Sequence, residues 1–160
     1  MKHSREKIEK LILYLENLGL FNEFEKSEIC GSYRRQKQQI GDLDIVIIPK
    51  SISGIEKVLE DNNVRYKKRT LGYQFHIDEV KVDLFIASEN NFWMNVFMWT
   101  GSYYFTMKIR ALYNRRGYRL TTHAVSSNAS RQILSDKFYF DEEKIFSFIG
   151  IDYIPPEKRG

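Results

Sequence analysis

The chain has 160 residues, of which 42% are hydrophobic, and this content can supply a core and excludes disorder over most of its length. The 25 basic and 21 acidic residues leave a formal charge of +4, which permits an anionic partner but does not require one. The single cysteine, Cys30, excludes an internal disulfide and is interpreted as a small buried apolar residue. No apolar run has membrane-spanning length, so a soluble intracellular protein is expected.

The first ninety residues show patterns that are typical of alternating helices and strands. Helices are predicted at residues 5–20, 33–39 and 52–61. Strands are predicted at residues 27–30, 40–48, 73–77 and 80–87. The last two strands flank Asp78 and Glu79, which indicates a hairpin.

The composition of the sequence changes after residue 90, where aromatic residues become frequent. The apolar segment 92–99 is followed by a break at Thr100 and Gly101. Further helices are predicted at residues 102–116 and 141–148, with an extended segment at 118–124 and a polar loop at 126–130. This change predicts that a second lobe begins here.

Two aspartates lie one residue apart at the start of a strand that is otherwise apolar. Side chains alternate along a strand, so Asp42 and Asp44 project on the same side. Two such anions repel each other unless a cation lies between them, and an all-oxygen pair suits Mg²⁺ or Mn²⁺ better than zinc. Asp83, in another apolar strand, is the third candidate, and three carboxylates could hold two metals about 3.5 to 4 Å apart. The alternative is a pair of acids on a solvated strand end.

A glycine turn precedes this pair of aspartates by about ten residues. Backbone N–H groups at Gly31 and the hydroxyl of Ser32 could hold a phosphate, with Arg34 or Arg35 as the cation. Alone, the Gly-Ser pair is just as often a plain turn. Followed by the three carboxylates, it indicates a nucleoside triphosphate site.

These motifs carry a resemblance to a known family. Gly31-Ser32, Gly41-Asp42-Leu43-Asp44 and Val82-Asp83-Leu84, in that order, resemble the polymerase beta-like nucleotidyltransferase superfamily. The segment from Trp99 to Ser102, the helix that reaches Arg110, Arg116-Gly117-Tyr118 and the tail from Tyr153 to Arg159 are similar to family X DNA polymerases. The resemblance covers the chain from about residue 28 onward. It is strongest to minimal viral members, because only one short helix precedes the palm.

The resemblance implies an α/β (α+β) fold with two subdomains. Residues 1–90 would form the nucleotidyltransferase palm with a mixed sheet. Residues 91–160 would form a small C-terminal nucleotide- and DNA-binding subdomain, the thumb or fingers.

The resemblance also implies roles for individual residues. Asp42, Asp44 and Asp83 would bind two Mg²⁺ ions, with Mn²⁺ as a substitute, and Asp83 would help deprotonate the primer 3′-hydroxyl. The incoming nucleotide would be bound by Gly31, Ser32, Arg35, Gly41, Met98, Trp99, Gly101 and Thr106. DNA would be bound by Lys81, Lys108, Arg110 and Arg116. Independently of the resemblance, Ser102, Thr106 and Arg110 recur every four residues and share one face of a helix.

The function implied is template-directed DNA polymerisation, with one or a few nucleotides added at gaps during DNA repair. The partners would be dNTP and gapped or primer-template DNA, and the protein would be a monomer, in the host cytoplasm or nucleus if viral. No lyase activity is predicted. One alternative is a template-independent nucleotidyltransferase acting on RNA, a protein or a small molecule, and another is a DNA-binding accessory whose carboxylates are vestigial. The basic segment from Lys67 to Arg69 has two interpretations, which are contacts with phosphates and a solvated turn.

Overall fold

The computed structural model describes residues 1–160 and has a mixed α/β architecture around one five-stranded sheet. The helices are α1 (Arg5–Asn17), α2 (Gly31–Arg34), α3 (Ile52–Asp61), α4 (Phe92–Thr100), α5 (Tyr103–Arg115) and α6 (Glu142–Ser147). The strands are β1 (His3–Ser4), β2 (Phe24–Ile29), β3 (Gln39–Ile40), β4 (Asp42–Pro49), β5 (Tyr66–Arg69), β6 (Gly72–Ile77), β7 (Val80–Ile86), β8 (Tyr118–Leu120) and β9 (Val125–Ser127).

The order of strands in the main sheet is β2-β4-β7-β6-β5, so β5 lies at one edge. Strands β4 and β7 are parallel, and the other neighbouring pairs are antiparallel. The mixed sheet predicted for the palm is therefore confirmed. Two small two-stranded sheets, β1-β3 and β8-β9, complete the strand pairing.

One face of the sheet is covered by α1 and α3. Leu43, Ile45 and Ile47 of β4 are fully buried against Ile8 of α1 and Ile55 of α3 in the largest apolar cluster. Because strand residues alternate, Asp42 and Asp44 are directed to the other face. The alternation along β4 thus separates the core from the carboxylates.

The second face is covered only in part. Val46 and Ile48 pack against Phe92 and Val96 of α4, together with Cys30. Cys30 is buried, as the sequence predicted, and burial raises the pKa of its thiol. The part of this face that carries Asp42 and Asp44 stays open to a ligand.

A separate apolar cluster is formed by residues from Met94 to Ile149 of the C-terminal part of the chain. It joins α4, α5 and α6, and Tyr113 of α5 donates a hydrogen bond to the carbonyl of Ile145 at 2.6 Å. Asp141 caps α6 by accepting from the backbone N–H of Lys144.

Several element predictions need correction. The predicted helix at 33–39 is wrong, since α2 covers Gly31–Arg34. The strand predicted at 40–48 is interrupted at Gly41, because Gln39–Ile40 pairs with His3–Ser4 instead. The predicted polar loop at 126–130 begins inside β9. None of the helices is long and apolar enough to cross a membrane.

Candidate active site

The three predicted metal ligands meet on the open face of the sheet. Asp42 and Asp44 lie on β4, and Asp83 lies on the neighbouring parallel strand β7, where it is the register partner of Asp44. One carboxylate oxygen from each lies within 4.8 Å of the others. The sequence could predict the faces of these side chains but not this register.

The carboxylates carry more negative charge than their surroundings compensate. Burial, and then the nearness of Asp83 and Asp42, raise the pKa of Asp44 to about 7. Lys81 binds Asp42 at 2.9 Å and Asp83 at 3.2 Å, and its hydrogen bond with Asp42 raises the pKa of the ammonium group. A divalent cation fits this set, because all three donors are oxygen atoms and the ionised carboxylates outnumber the two nearby cations, Lys81 and Arg35.

Asp83 also accepts a hydrogen bond from a glutamine on the neighbouring strand β6. Gln74 donates from Nε2 to Oδ1 of Asp83 at 2.9 Å, and its Oε1 accepts from Arg69 at 2.6 Å. Sequence reasoning did not assign a role to Gln74. The signal was present, because Gln74 and His76 alternate with apolar residues in β6 and so belong on the polar face.

The predicted phosphate turn lies directly against the carboxylates. The backbone N–H of Cys30 donates to the carbonyl of Asp44 at 2.7 Å, which seats the start of α2 beside β4. Gly31 has a φ of +61°, and a Cβ atom there would lie 2.5 Å from Oδ2 of Asp44. Only glycine allows this close approach without displacing the carboxylate.

Two arginines of the α2 region tie it to the C-terminal part of the chain. Arg34 donates to both carboxylate oxygens of Glu142, at 2.6 and 3.2 Å, and to the hydroxyl of Thr100 at 3.0 Å. Arg35 donates to the carbonyl of Thr100. Glu142 also accepts from the buried Arg159 at 2.9 Å. The sequence did not predict these contacts of Glu142 and Thr100, since both residues lie far along the chain from their partners.

Comparison with known proteins gives the family of this chain. The family model for the DNA polymerase beta palm matches residues 4–119, and the model for the DNA polymerase beta thumb matches residues 95–160. The chain belongs to the family X DNA polymerases. The sequence-based identification of the family is therefore confirmed.

Curated relatives agree with the family models at low identity. The chain is 27% identical to DNA polymerase/3′-5′ exonuclease PolX of Bacillus subtilis, over 90% of this chain and 26% of the relative. It is 22% identical to DNA polymerase lambda of Arabidopsis thaliana, over 97% of this chain and 36% of the relative. It is 26% identical to repair DNA polymerase X of African swine fever virus, over 81% of this chain and 78% of that protein. The chain thus spans about a quarter to a third of the first two relatives, and most of the viral one.

The other residues predicted to bind nucleotide lie around α2 and the end of α4. The ring of Trp99 stacks on Phe85 of β7 with centroids 3.8 Å apart. A Cβ at Gly101 would lie 3.1 Å from Nη1 of Arg35, so the backbone passes close to the guanidinium. Gly41 faces open space directly before Asp42, and Ser32 is half-buried in α2. Met98 packs against the C-terminal cluster.

Of the residues predicted to bind DNA, Lys81 lies between Asp42 and Asp83, whereas Lys108, Arg110 and Arg116 belong to α5 or directly follow it. Thr106 is buried, and its hydroxyl donates to the carbonyl of Tyr103 at 2.9 Å. Arg110 donates to the carbonyl of Leu120 at 3.2 Å, whereas Lys108 and Arg116 are exposed. Their contacts with nucleotide and DNA stay predictions.

Proposed function

We propose that this chain is a template-directed DNA polymerase that adds one or a few deoxynucleotides at gaps during DNA repair, acting inside the cell as a monomer. The observation that carries the proposal is the meeting of Asp42, Asp44 and Asp83 beside the Gly31 turn, in a chain that belongs to family X. This arrangement brings oxygen ligands for a cation next to backbone donors for a triphosphate.

In this proposal the chain binds and orients both substrates. Asp42, Asp44 and Asp83 would hold two Mg²⁺ ions, for which Mn²⁺ can substitute. When bound, Mg²⁺ neutralises charge on the attacking and leaving oxygens. The Gly31-Ser32 turn and Arg35 would receive the β and γ phosphates.

The reaction joins the 3′-oxygen of a primer to the α-phosphorus of a dNTP and releases pyrophosphate. Asp83 would take part in removing the proton of the 3′-hydroxyl, held in position by the amide of Gln74. Residues 1–90 would act as the palm and residues 91–160 as the nucleotide- and DNA-binding subdomain. The palm core lies between Ile8 and Leu84 and the C-terminal cluster begins at Met94, which supports this division.

The test is single-nucleotide extension with Mg²⁺ on a one-nucleotide-gapped duplex, an open primer-template and a single strand. We expect template-chosen insertion that is favoured on the gapped duplex and abolished by Asp83→Asn. Asp152→Asn is the matched control, since Asp152 is exposed and far along the chain from the carboxylates. Extension of the single strand alone would favour a template-independent transferase, and full turnover by Asp83→Asn would contradict the proposal.

A further inference from the structure

Two basic residues of the edge strand β5, Lys67 and Arg69, lie on the face of the sheet that carries the carboxylates. Arg69 donates to Gln74, and Gln74 donates to Asp83, so all three side chains share that face. In register, Lys67 pairs with Gln74 across β5 and β6, and Gln74 pairs with Asp83 across β6 and β7. One row of neighbouring residues therefore runs from Lys67 across the sheet to Asp83.

The alternate residues of β5 are engaged on the opposite face. The ammonium group of Lys68 lies 2.8 Å from a carboxylate oxygen of Glu56, and the hydroxyl of Tyr66 donates to Glu60 at 2.7 Å. Both glutamates belong to α3, so these contacts attach β5 to the helix that covers the core. Lys68 is therefore not directed toward the active-site face.

The cations on the active-site face have free capacity to bind an anion. Lys67 is exposed, and no carboxylate lies within ion-pair distance of it. Arg69 is exposed and contacts the neutral amide of Gln74, which leaves most of its five N–H donors free. At the start of β5 a cleft of about 660 Å³ is lined by Arg65, Lys67 and His76, with Asp78 as its acidic residue, and it extends to Tyr14 of α1 on the other side of the sheet.

The position of β5 relative to the carboxylates indicates which anion it would bind. The Gly31 turn lies beside β4, whereas β5 lies at the far edge, beyond β7 and β6. In phosphoryl transfer the attacking and leaving oxygens lie roughly in line on opposite sides of the phosphorus. If the triphosphate lies at the Gly31 turn, the strand that supplies the attacking 3′-oxygen approaches from the side of β5.

The spacing between β-strands indicates which nucleotide of the primer lies beside β5. Two strand intervals of about 4.8 Å separate β5 from β7, which places β5 about 10 Å from Asp83. Successive nucleotides of one DNA strand rise about 3.4 Å. We propose that Lys67 and Arg69 bind the sugar-phosphate backbone of the primer about three nucleotides upstream of its 3′ end, an inference that rests on the proposed function.

The experiment measures binding of a labelled, 3′-dideoxy primer-template by fluorescence anisotropy with Mg²⁺ at several salt concentrations. The double variant Lys67→Gln/Arg69→Gln should lower the slope of log affinity against log salt by about two and weaken binding at 0.1 M salt at least about tenfold. Lys68→Gln removes the same charge from the same strand on the opposite face, and its affinity and slope should match those of the wild type.

A neutral backbone identifies the contacted strand. Methylphosphonate linkages at the second to fourth positions from the primer 3′ end should weaken binding by the wild type but not weaken binding by the double variant further. The same linkages in the template should act equally on both proteins. If only the template linkages weaken binding by the wild type more than binding by the double variant, the assignment to the primer is wrong. If the double variant keeps the wild-type salt slope, Lys67 and Arg69 do not bind DNA.

Two controls separate this inference from protein folding and from the proposed function. Circular dichroism melting checks that the double variant is folded. If the double variant melts early, Lys67→Gln alone replaces it, because this change removes no ion pair. Lys67→Gln should lower the slope of log affinity against log salt by about one. Extension by the wild type is measured on the same DNA with an unblocked primer. If the wild type extends the primer and the variants keep the wild-type salt slope, only the proposed β5 surface is refuted. Lack of extension with a reduced slope refutes the polymerase proposal and supports a nucleic-acid surface.

Discussion

Replacing Asp44 with asparagine should stabilise the protein in the absence of divalent metal. Burial and the nearby carboxylates raise the pKa of Asp44 from 3.8 to about 7, so the folded chain binds a proton that the unfolded chain has released in this range. The free energy of unfolding therefore falls as pH rises from about 4 to about 7. Asparagine keeps the shape of the side chain and removes the charge.

The pKa difference sets the size of this effect. A change from 3.8 to about 7 corresponds to about 4 kcal/mol once Asp44 is fully ionised, and to about 2 kcal/mol at pH 5. For a chain of this length each kcal/mol shifts the melting temperature by about 2 to 4 °C. In EDTA, Asp44→Asn is thus expected to melt about 10 °C above the wild type at pH 8 and about 4 °C above it at pH 5.

The assay is thermal unfolding by circular dichroism at both pH values, with and without Mg²⁺. At a concentration about 100 times its dissociation constant, Mg²⁺ should stabilise the wild type by about 2.7 kcal/mol and the variant by less, because the variant lacks one ligand. Asp152→Asn, at an exposed position, should change neither melting curve. Equal melting of wild type and Asp44→Asn at pH 8 in EDTA, or a larger gap at pH 5, would refute the reasoning.

Three further substitutions test the contacts around the carboxylates. Gly31→Ala should destabilise the chain by about 1 to 2 kcal/mol in chemical denaturation and reduce extension, because its Cβ displaces the carboxylate of Asp44 at a positive φ. Glu142→Gln should cost about 3 to 5 kcal/mol of unfolding free energy, since it leaves the buried guanidinium of Arg159 without its anion and leaves the half-buried Arg34 with Glu28 as its remaining carboxylate partner. Gln74→Met should keep the melting temperature within about 3 °C but lower kcat, because Asp83 loses the donor that orients it; an unchanged kcat would contradict that role.

The local elements were predictable because their signals are local. The helix Ile52–Asp61 has the predicted bounds, with Ser51 as its N-cap and Ile55 and Leu59 on its buried side. The shared face of Asp42 and Asp44 followed from strand alternation alone. In these cases a few neighbouring residues determine the conformation.

The parts that could not be predicted depend on pairing between distant segments. Strand β5 is polar along most of its length, so its sequence shows no apolar alternation, and it forms because β6 offers a free edge. The pairing of Asp44 with Asp83 and the contact of Arg34 with Glu142 join residues 39 and 108 positions apart. No short-range pattern encodes such register.

The phosphate turn depends on residues far along the chain. Helix α2 has four residues, too few to be stable by itself. It is held by Arg34 and Arg35, whose partners are Glu142 and Thr100. Arg159 binds the same glutamate, and its carbonyl accepts from the backbone of Ser102 at the start of α5.

The position of Gly31 against Asp44 is therefore set in part by the C-terminal residues. A change that loosens Glu142 displaces the turn that would receive the triphosphate, although Glu142 itself belongs to α6. The carboxylates, by contrast, are fixed by the register of β4 and β7, which no C-terminal residue enters. Nucleotide affinity and metal affinity should for this reason respond differently to the same C-terminal substitution, since one half of the site rests on the sheet and the other on the contact between α2 and α6.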